Sequence, residues 1–217
     1  MSVPYKAKKS IDEIPPNLQR FYVERDGVWV LDVVDALDKS KADEILTANA
    51  AIATGIPERD YAAPFDSLSV CFSKGLGAPI GSALCGARDF IQRARRFRTM
   101  FGGGMRQAGI IAAGALYALE HQRARLAEDH AHARALAEGL AALPGVELDP
   151  ATVQTNMVIF RARSIPAVTL ARALDLAGVR VLPIGPDTIR AVTNLMVSAA
   201  EIPTAVEIIR QTMQKMS

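Results

Sequence analysis

The chain has 217 residues, half of them apolar, and sets 25 lysines and arginines against 23 aspartates and glutamates, for a formal charge of +2. That apolar content is ample for one large domain or two small ones. The near-balance of charge provides no broad field to gather nucleic acid or an anionic membrane, so a small or neutral partner is favoured.

Residues 1–48 read as a module of their own. IDEIPPNLQ suits an acidic turn or short helix, RFYVER and VWVLDV form a hairpin joined at Asp26-Gly27, and the charged DALDKSKADEILTA follows. From Asn49 the pattern alternates between helix and strand. FDSLSVCF predicts a half-buried strand at 66–72 that runs into Ser73-Lys74 and then turns through Gly75, Gly77 and Pro79. A basic helix, DFIQRARRFRTM, is stopped by Gly102, Gly103 and Gly104. The alanine-rich stretch from Met105 to about Leu143 has helical spacing, with one break near His121 and an end at Pro144-Gly145. NMVIF at 156–160 predicts a strand, AVTLARALDLAG a helix closed by Gly178, and VRVLPI and TIRAVTNLMV two more strands. Ser198 and Glu201 have capping-box spacing at the start of the last helix. The pattern implies three parts: 1–48, then 49–121, then a small C-terminal domain at 122–217.

Cys71 and Cys85 lie on apolar stretches without CxxC spacing, which reads as reduced, unreactive thiols in a cytoplasmic protein. No stretch reaches the roughly 18 continuous apolar residues of a membrane span. The polar start MSVPYKAKKS lacks the apolar middle of a secretory signal. His121, His130 and His132 have charged neighbours and read as a solvated face without metal-ligand spacing, and RARRFR at 93–98 as a solvated or interface face.

Lys74 is the residue that asks for chemistry. Removing an ammonium from water is costly unless it is paired or neutralised, and burial or a nearby cation lowers its pKa toward that of a free amine. A free amine attacks carbonyl carbon, which is the basis of Schiff-base catalysis. Gly75 and Gly77 leave room for a flat cofactor beside it. The same residues also suit an ordinary surface lysine in a strand-to-helix turn.

Taken in order, NAAIATGIPERDYAAPFDSLSVCFSKGLGAPIGSALCG, FGGGMRQAGIIAAGALYAL, TNMVIF and IRAVTNLMVS closely resemble the low-specificity threonine aldolases over about residues 49–217. These belong to the β-eliminating lyases, pyridoxal-phosphate enzymes of the aspartate-aminotransferase fold. The resemblance implies an α/β chain made of part of a fold-type-I large domain, at 49–121, plus its small C-terminal α+β domain, at 122–217. It also implies that Lys74 holds pyridoxal 5′-phosphate covalently, that Arg106, at an anion-favouring helix start, lies near the cofactor pocket, and that Arg190 grips the substrate carboxylate; Ser73, beside the lysine, suits either a phosphate donor or a local turn hydrogen bond. In relatives the counterpart of Arg106 often reaches the pocket across a subunit interface, so an oligomer is expected. Residue chemistry alone does not separate Arg190 from Arg161 or Arg163.

The implied reaction is Cα–Cβ cleavage of a β-hydroxy-α-amino acid, threonine giving glycine and acetaldehyde. The chain departs from the family pattern in two ways. Thr99 stands where many relatives have a lysine before the glycine run. Upstream of Asn49 there is no counterpart of the ring-stacking histidine, the aspartate for the pyridine nitrogen, the phosphate loop or the Asp-Gly-Ala-Arg segment. A non-catalytic assembly protein that keeps the small-domain fold, and an enzyme completed by another chain, are the competing expectations.

Overall fold

The computed structural model describes Tyr22–Arg25, Val28–Leu31 and residues 48–216 apart from 58, 59, 61 and 64. The chain divides into two compact units, one comprising Met1–Ala51 and Ile56–Arg123, the other Ile52–Gly55 and Ala124–Ser217.

In the first unit, β1 (Tyr22–Arg25) pairs antiparallel with β2 (Val28–Leu31), the hairpin that the sequence predicts, with its Asp26-Gly27 turn outside the described residues. α1 spans Ala48–Thr54. β3 (Ser67–Cys71) pairs antiparallel with β4 (Ser82–Gly86), with Ser67 opposite Gly86 and Cys71 opposite Ser82. β4 is absent from the sequence reading because Ser-Ala-Leu-Cys-Gly offers one large apolar residue and no period of two. Lys74 therefore lies in the connection of a β-hairpin, and the strand-to-helix turn is corrected.

α2 (Arg88–Met100) folds its amphipathic face onto β4, where Leu84, Ile91 and Ala94 form a small core with Phe90 against it. Gly86 is needed for that approach, since a Cβ there would stand 3.0 Å from the Phe90 ring and 3.1 Å from the Asp66 carbonyl. α3 (Gly109–Gln122) is almost uniformly apolar, yet only Ala115 and Ala118 of it are buried.

The second unit has a four-stranded antiparallel sheet in the order β5 (Val146–Glu147), β6 (Met157–Ala162), β8 (Thr188–Val192), β7 (Leu182–Pro183). β7 and β8 are shorter than the apolar runs that suggested them, β7 ending at Pro183 and β8 at Val192. Three helices supply the core: α4 (Leu126–Ala141), α5 (Ala167–Leu176) and α6 (Glu201–Met216). Leu140, Leu170, Leu174 and Ile209 meet Val158, Phe160 and Ile189 of the sheet. β6 alternates strictly between exposed and buried residues, the period of two that a half-buried strand requires.

The long alanine-rich stretch is broken at 123–125, and Arg125 there grips Asp129 by two hydrogen bonds of 2.9 Å. The capping box at the last helix forms on one side only. Glu201 accepts from the Ser198 N–H at 2.8 Å, but the Ser198 hydroxyl donates to the same carboxylate at 2.7 Å instead of accepting from the backbone.

Candidate active site

β3 ends at Cys71 and the chain loops from Phe72 to Gly81 before β4 begins. Backbone bonds shape this loop. Phe72 N–H donates to the Gly81 carbonyl, Ala78 N–H to the Phe72 carbonyl, and Gly77 N–H to the Lys74 carbonyl at 2.8 Å. The last closes a tight turn from Lys74 to Gly77, and Gly77, which leads the chain out of it, takes a left-handed φ of +72° that glycine adopts at no steric cost. Pro79 braces the loop against α3, where a Cβ on Gly114 would stand 3.2 Å from the proline ring.

Lys74 itself is exposed, and no ion pair to it forms among the described residues. Of the two readings that the residues leave open, its position is that of a surface lysine, and none of the described residues buries it. Its amine is instead accessible at the strand end. Ser73 is also exposed, with its Oγ 3.3 Å from Cys71 Sγ. Burial pushes the Cys71 thiol up, but hydrogen bonds from the side chain and backbone of Ser73 and from the Ser82 side chain, with the Lys74 charge added, bring it below its ordinary value. Neither cysteine forms a disulfide, and the unreactive reading fits buried Cys85 better than half-buried Cys71.

Arg106 sits exposed in the turn before α3, after a glycine run in which Gly102 has φ +78°. Gln107 adopts φ +57°, a conformation strained for a side chain of its kind. The following helix starts at Gly109 behind Ala108, with no side-chain cap, so its first N–H groups remain available to an anion. The Thr99 hydroxyl donates to the Arg95 carbonyl at 3.2 Å, a local use. Between the hairpin and α3 lies an apolar cavity of about 210 Å³, lined by Phe72, Ala83, Met105, Ile111 and Ala115 among others. Lys74, Ser73 and Arg106 do not line it.

Arg190 belongs to the second unit, in the middle of β8 and on the sheet face away from the core. Its Nε is buried and has no hydrogen-bond partner among the described residues. The rival arginines are occupied. Arg161 bonds Asp187 at 2.5 Å and lies 3.5 Å from Glu147, while Arg163 pairs with Glu147. Hydrogen bonding to Asp187, its charge and that of Glu147 raise the Arg161 pKa, and hydrogen bonds from Arg161 and Thr188 hold the Asp187 carboxyl below its usual range.

Three residues past Arg190 the strand is latched. Asn156 Nδ2 donates to the Thr193 carbonyl at 2.9 Å, Thr193 N–H donates to the Asn156 carbonyl at 3.0 Å, and Thr193 Oγ1 donates to the Asp129 carbonyl at 2.6 Å. Sequence reasoning passed over this pair, although a buried Asn-Thr bracket at the joined ends of two strands could have been sought in TNMVIF and AVTN. Two of the three histidines are less solvated than their sequence suggested. His121 is exposed, with its ring tilted against Tyr117 at 4.4 Å, whereas His130 is half-buried with its pKa lowered by burial and by Arg134 against the opposing pull of Asp129. Nδ1 of His132 is buried without a partner among the described residues. No group of three or more potential metal ligands gathers among the described residues, and no helix among them is long and apolar enough to cross a membrane.

The low-specificity L-threonine aldolase of Escherichia coli K12 is 41 % identical over 154 residues, covering 71 % of this chain and 45 % of that protein. A Listeria monocytogenes structure assigned as a candidate L-allo-threonine aldolase superposes with a TM-score of 0.62 at 24 % identity, covering 83 % of this chain and 51 % of that one. A structure of SPT with a PLP internal aldimine superposes with a TM-score of 0.59 at 19 % identity, covering 73 % and 42 %. The chain spans about half the length of the curated relatives it matches. The shared fold is that of the fold-type-I pyridoxal-phosphate enzymes, of which the chain holds part. The family model of the β-eliminating lyases matches residues 45–163, and the chain belongs to that family.

Proposed function

We propose that this chain binds pyridoxal 5′-phosphate through Lys74 and serves the cleavage of the Cα–Cβ bond of β-hydroxy-α-amino acids, threonine among them, to glycine and an aldehyde. The observation that carries the reading is Arg190, a guanidinium whose Nε is buried and has no partner among the described residues, while its neighbours Arg161 and Arg163 are engaged by carboxylates. A buried donor without an acceptor costs free energy, and an incoming carboxylate removes that cost by a bidentate grip. Family membership and the names of the relatives support the reaction class.

The residues present fit two parts of the cofactor's needs: an accessible amine at the strand end for its covalent anchor, and donors at Ser73 and Arg106 for its phosphate. When bound, pyridoxal phosphate supplies an electron sink for the pair released at Cα. Arg190 holds the substrate carboxylate and so fixes which bond at Cα is aligned to break. Loss of the β-hydroxyl proton forms the carbonyl of the departing aldehyde, the Cα–Cβ pair remains on Cα, and a proton taken up there gives glycine.

The test uses the full chain with added pyridoxal phosphate. A visible absorbance band, and after borohydride a permanent mass increment on the peptide bearing Lys74, are expected; both vanish in Lys74→Ala. An unmodified peptide would overturn the assignment and favour a non-catalytic assembly protein that retains the fold.

A further inference from the structure

α2 carries five arginines, and its only carboxylate is Asp89. Its apolar stripe, Ile91 and Ala94, is engaged by Leu84 of β4, which leaves the opposite face turned to water. Arg98 lines the apolar cavity instead. Arg88, Arg93, Arg95 and Arg96 are exposed, and among the described residues no ion pair or side-chain hydrogen bond forms to any of them. Exposed arginines of the second unit are treated differently: Arg161 meets Asp187, Arg180 meets Asp175 and Arg210 meets Glu207.

Helical spacing puts these four positions on one side of α2, with Arg88 and Arg96 about 12 Å apart along the axis. Like charges one turn apart, such as Arg93 and Arg96, repel each other. A cation in the first turn, where Arg88 stands, also opposes the helix dipole. The stability of the helix therefore gives no reason for this set, whereas an anionic partner does. At the C-terminal end the face continues into Met100 and Phe101, 65 and 62 % exposed, the latter ring stacked on Phe97. Arginine, methionine and aromatic side chains together are the composition of a protein interface.

A membrane is a poor occupant, because the apolar stripe of α2 is already buried and has nothing to insert. A nucleic acid uses the cations alone and leaves Met100 and Phe101 in water, and a whole-chain charge of +2 adds no wider field to gather it. A helix with acidic residues at three- and four-residue spacing offers each guanidinium a carboxylate to grip through two hydrogen bonds.

We propose that the outward face of α2 is a docking surface for an acidic amphipathic helix of another protein, its carboxylates on Arg88, Arg93, Arg95 and Arg96 and its apolar end against Met100 and Phe101. The proposal is independent of the lyase reading.

The test is fluorescence anisotropy of the full chain at physiological salt, with a fluorescein-labelled helical peptide of glutamate and alanine that ends in leucines as the probe. Saturable binding is expected, weakened about tenfold or more by Arg93→Gln with Arg96→Gln, and measurably by Met100→Ser with Phe101→Ser. Glutamine keeps the helix propensity of arginine, and circular dichroism verifies the fold of each variant. A peptide with glutamine in place of glutamate should not bind. The proposal is overturned if the acidic peptide shows no saturable binding, if its glutamine counterpart binds as well, or if either pair of substitutions leaves the affinity unchanged. Tighter binding of a single-stranded oligonucleotide, or of phosphatidylserine vesicles, than of the peptide overturns it too.

Discussion

Cys71 shows how a single residue takes its character from a loop built for something else. Its sulfur sits two residues before Ser73 and faces Ser82 across the hairpin, so the donors that shape the turn also stabilise a thiolate. A thiol whose pKa is lowered is deprotonated at a lower pH, and alkylation by iodoacetamide follows the thiolate. Cys71 is therefore expected to react ahead of buried Cys85, with its pH–rate inflection below that of a free cysteine. Ser73→Ala should move the inflection upward and slow the reaction at neutral pH. Lys74→Ala should act in the same direction but less, since its charge is the smallest of the contributing causes. Mass-spectrometric alkylation rates across pH check this, and equal rates for the two cysteines would contradict it. For Ser73 the consequence is that its hydroxyl already has a neighbour before any phosphate arrives.

At the scale of elements, the packing of α4 on α6 has one contact of decisive size. A Cβ added at Gly139 would stand 2.7 Å from Cγ2 of Val206, closer than real side chains approach. Replacing a mid-helix glycine with alanine ordinarily stabilises by about 1 kcal/mol. Overpacking costs about 1–3 kcal/mol, and a valine held in a helix is stiff at χ1 and yields little. Gly139→Ala is therefore expected to lower stability by about 1 kcal/mol or more in urea denaturation, with Val206→Ala in the same chain recovering part of it. The same contact shows what was hidden in the sequence, where Gly139 reads only as a weak helix former. Helices with a clear apolar stripe, such as α2 and α5, and the alternating strand β6 were legible because one element's own period decides them. β4 was not, since four small residues around Leu84 acquire strand character only by pairing with β3. In the candidate site, Lys74 was marked by its glycines, whereas the choice among three arginines was invisible without a family pattern. Glu147 and Asp187 are the residues that neutralise Arg161, and Asp187 lies 26 positions away from it in the chain.

Over the whole molecule, the apolar interior is unevenly distributed between the two units. The core gathered around Phe160, Leu170, Leu174 and Ile209 draws every described member from residues 133–216, together with a four-stranded sheet and three helices. In the first unit the sheets are two-stranded, and Ile80, Met100, Phe101, Met105 and Ile110 are exposed. Two-stranded sheets are marginal by themselves, whereas about 90 residues with a closed core are sufficient for a domain. A fragment of residues 124–217 is thus expected to fold alone and to unfold in one cooperative urea transition followed by circular dichroism. Its starting point matters, because the Asp129 side chain is 0 % exposed and its carboxylate is held by Arg125, 17 % exposed. Cutting after Arg125, or Arg125→Met in the fragment, strands a buried charge and should cost about 3–5 kcal/mol. Arg125→Met with Asp129→Leu removes both partners and should restore most of that loss, because an apolar pair of similar volume leaves no charge to solvate. A fragment that lacks a cooperative transition even with Arg125 in place would show that the core between 133 and 216 is insufficient, and that the two units are a single folding unit.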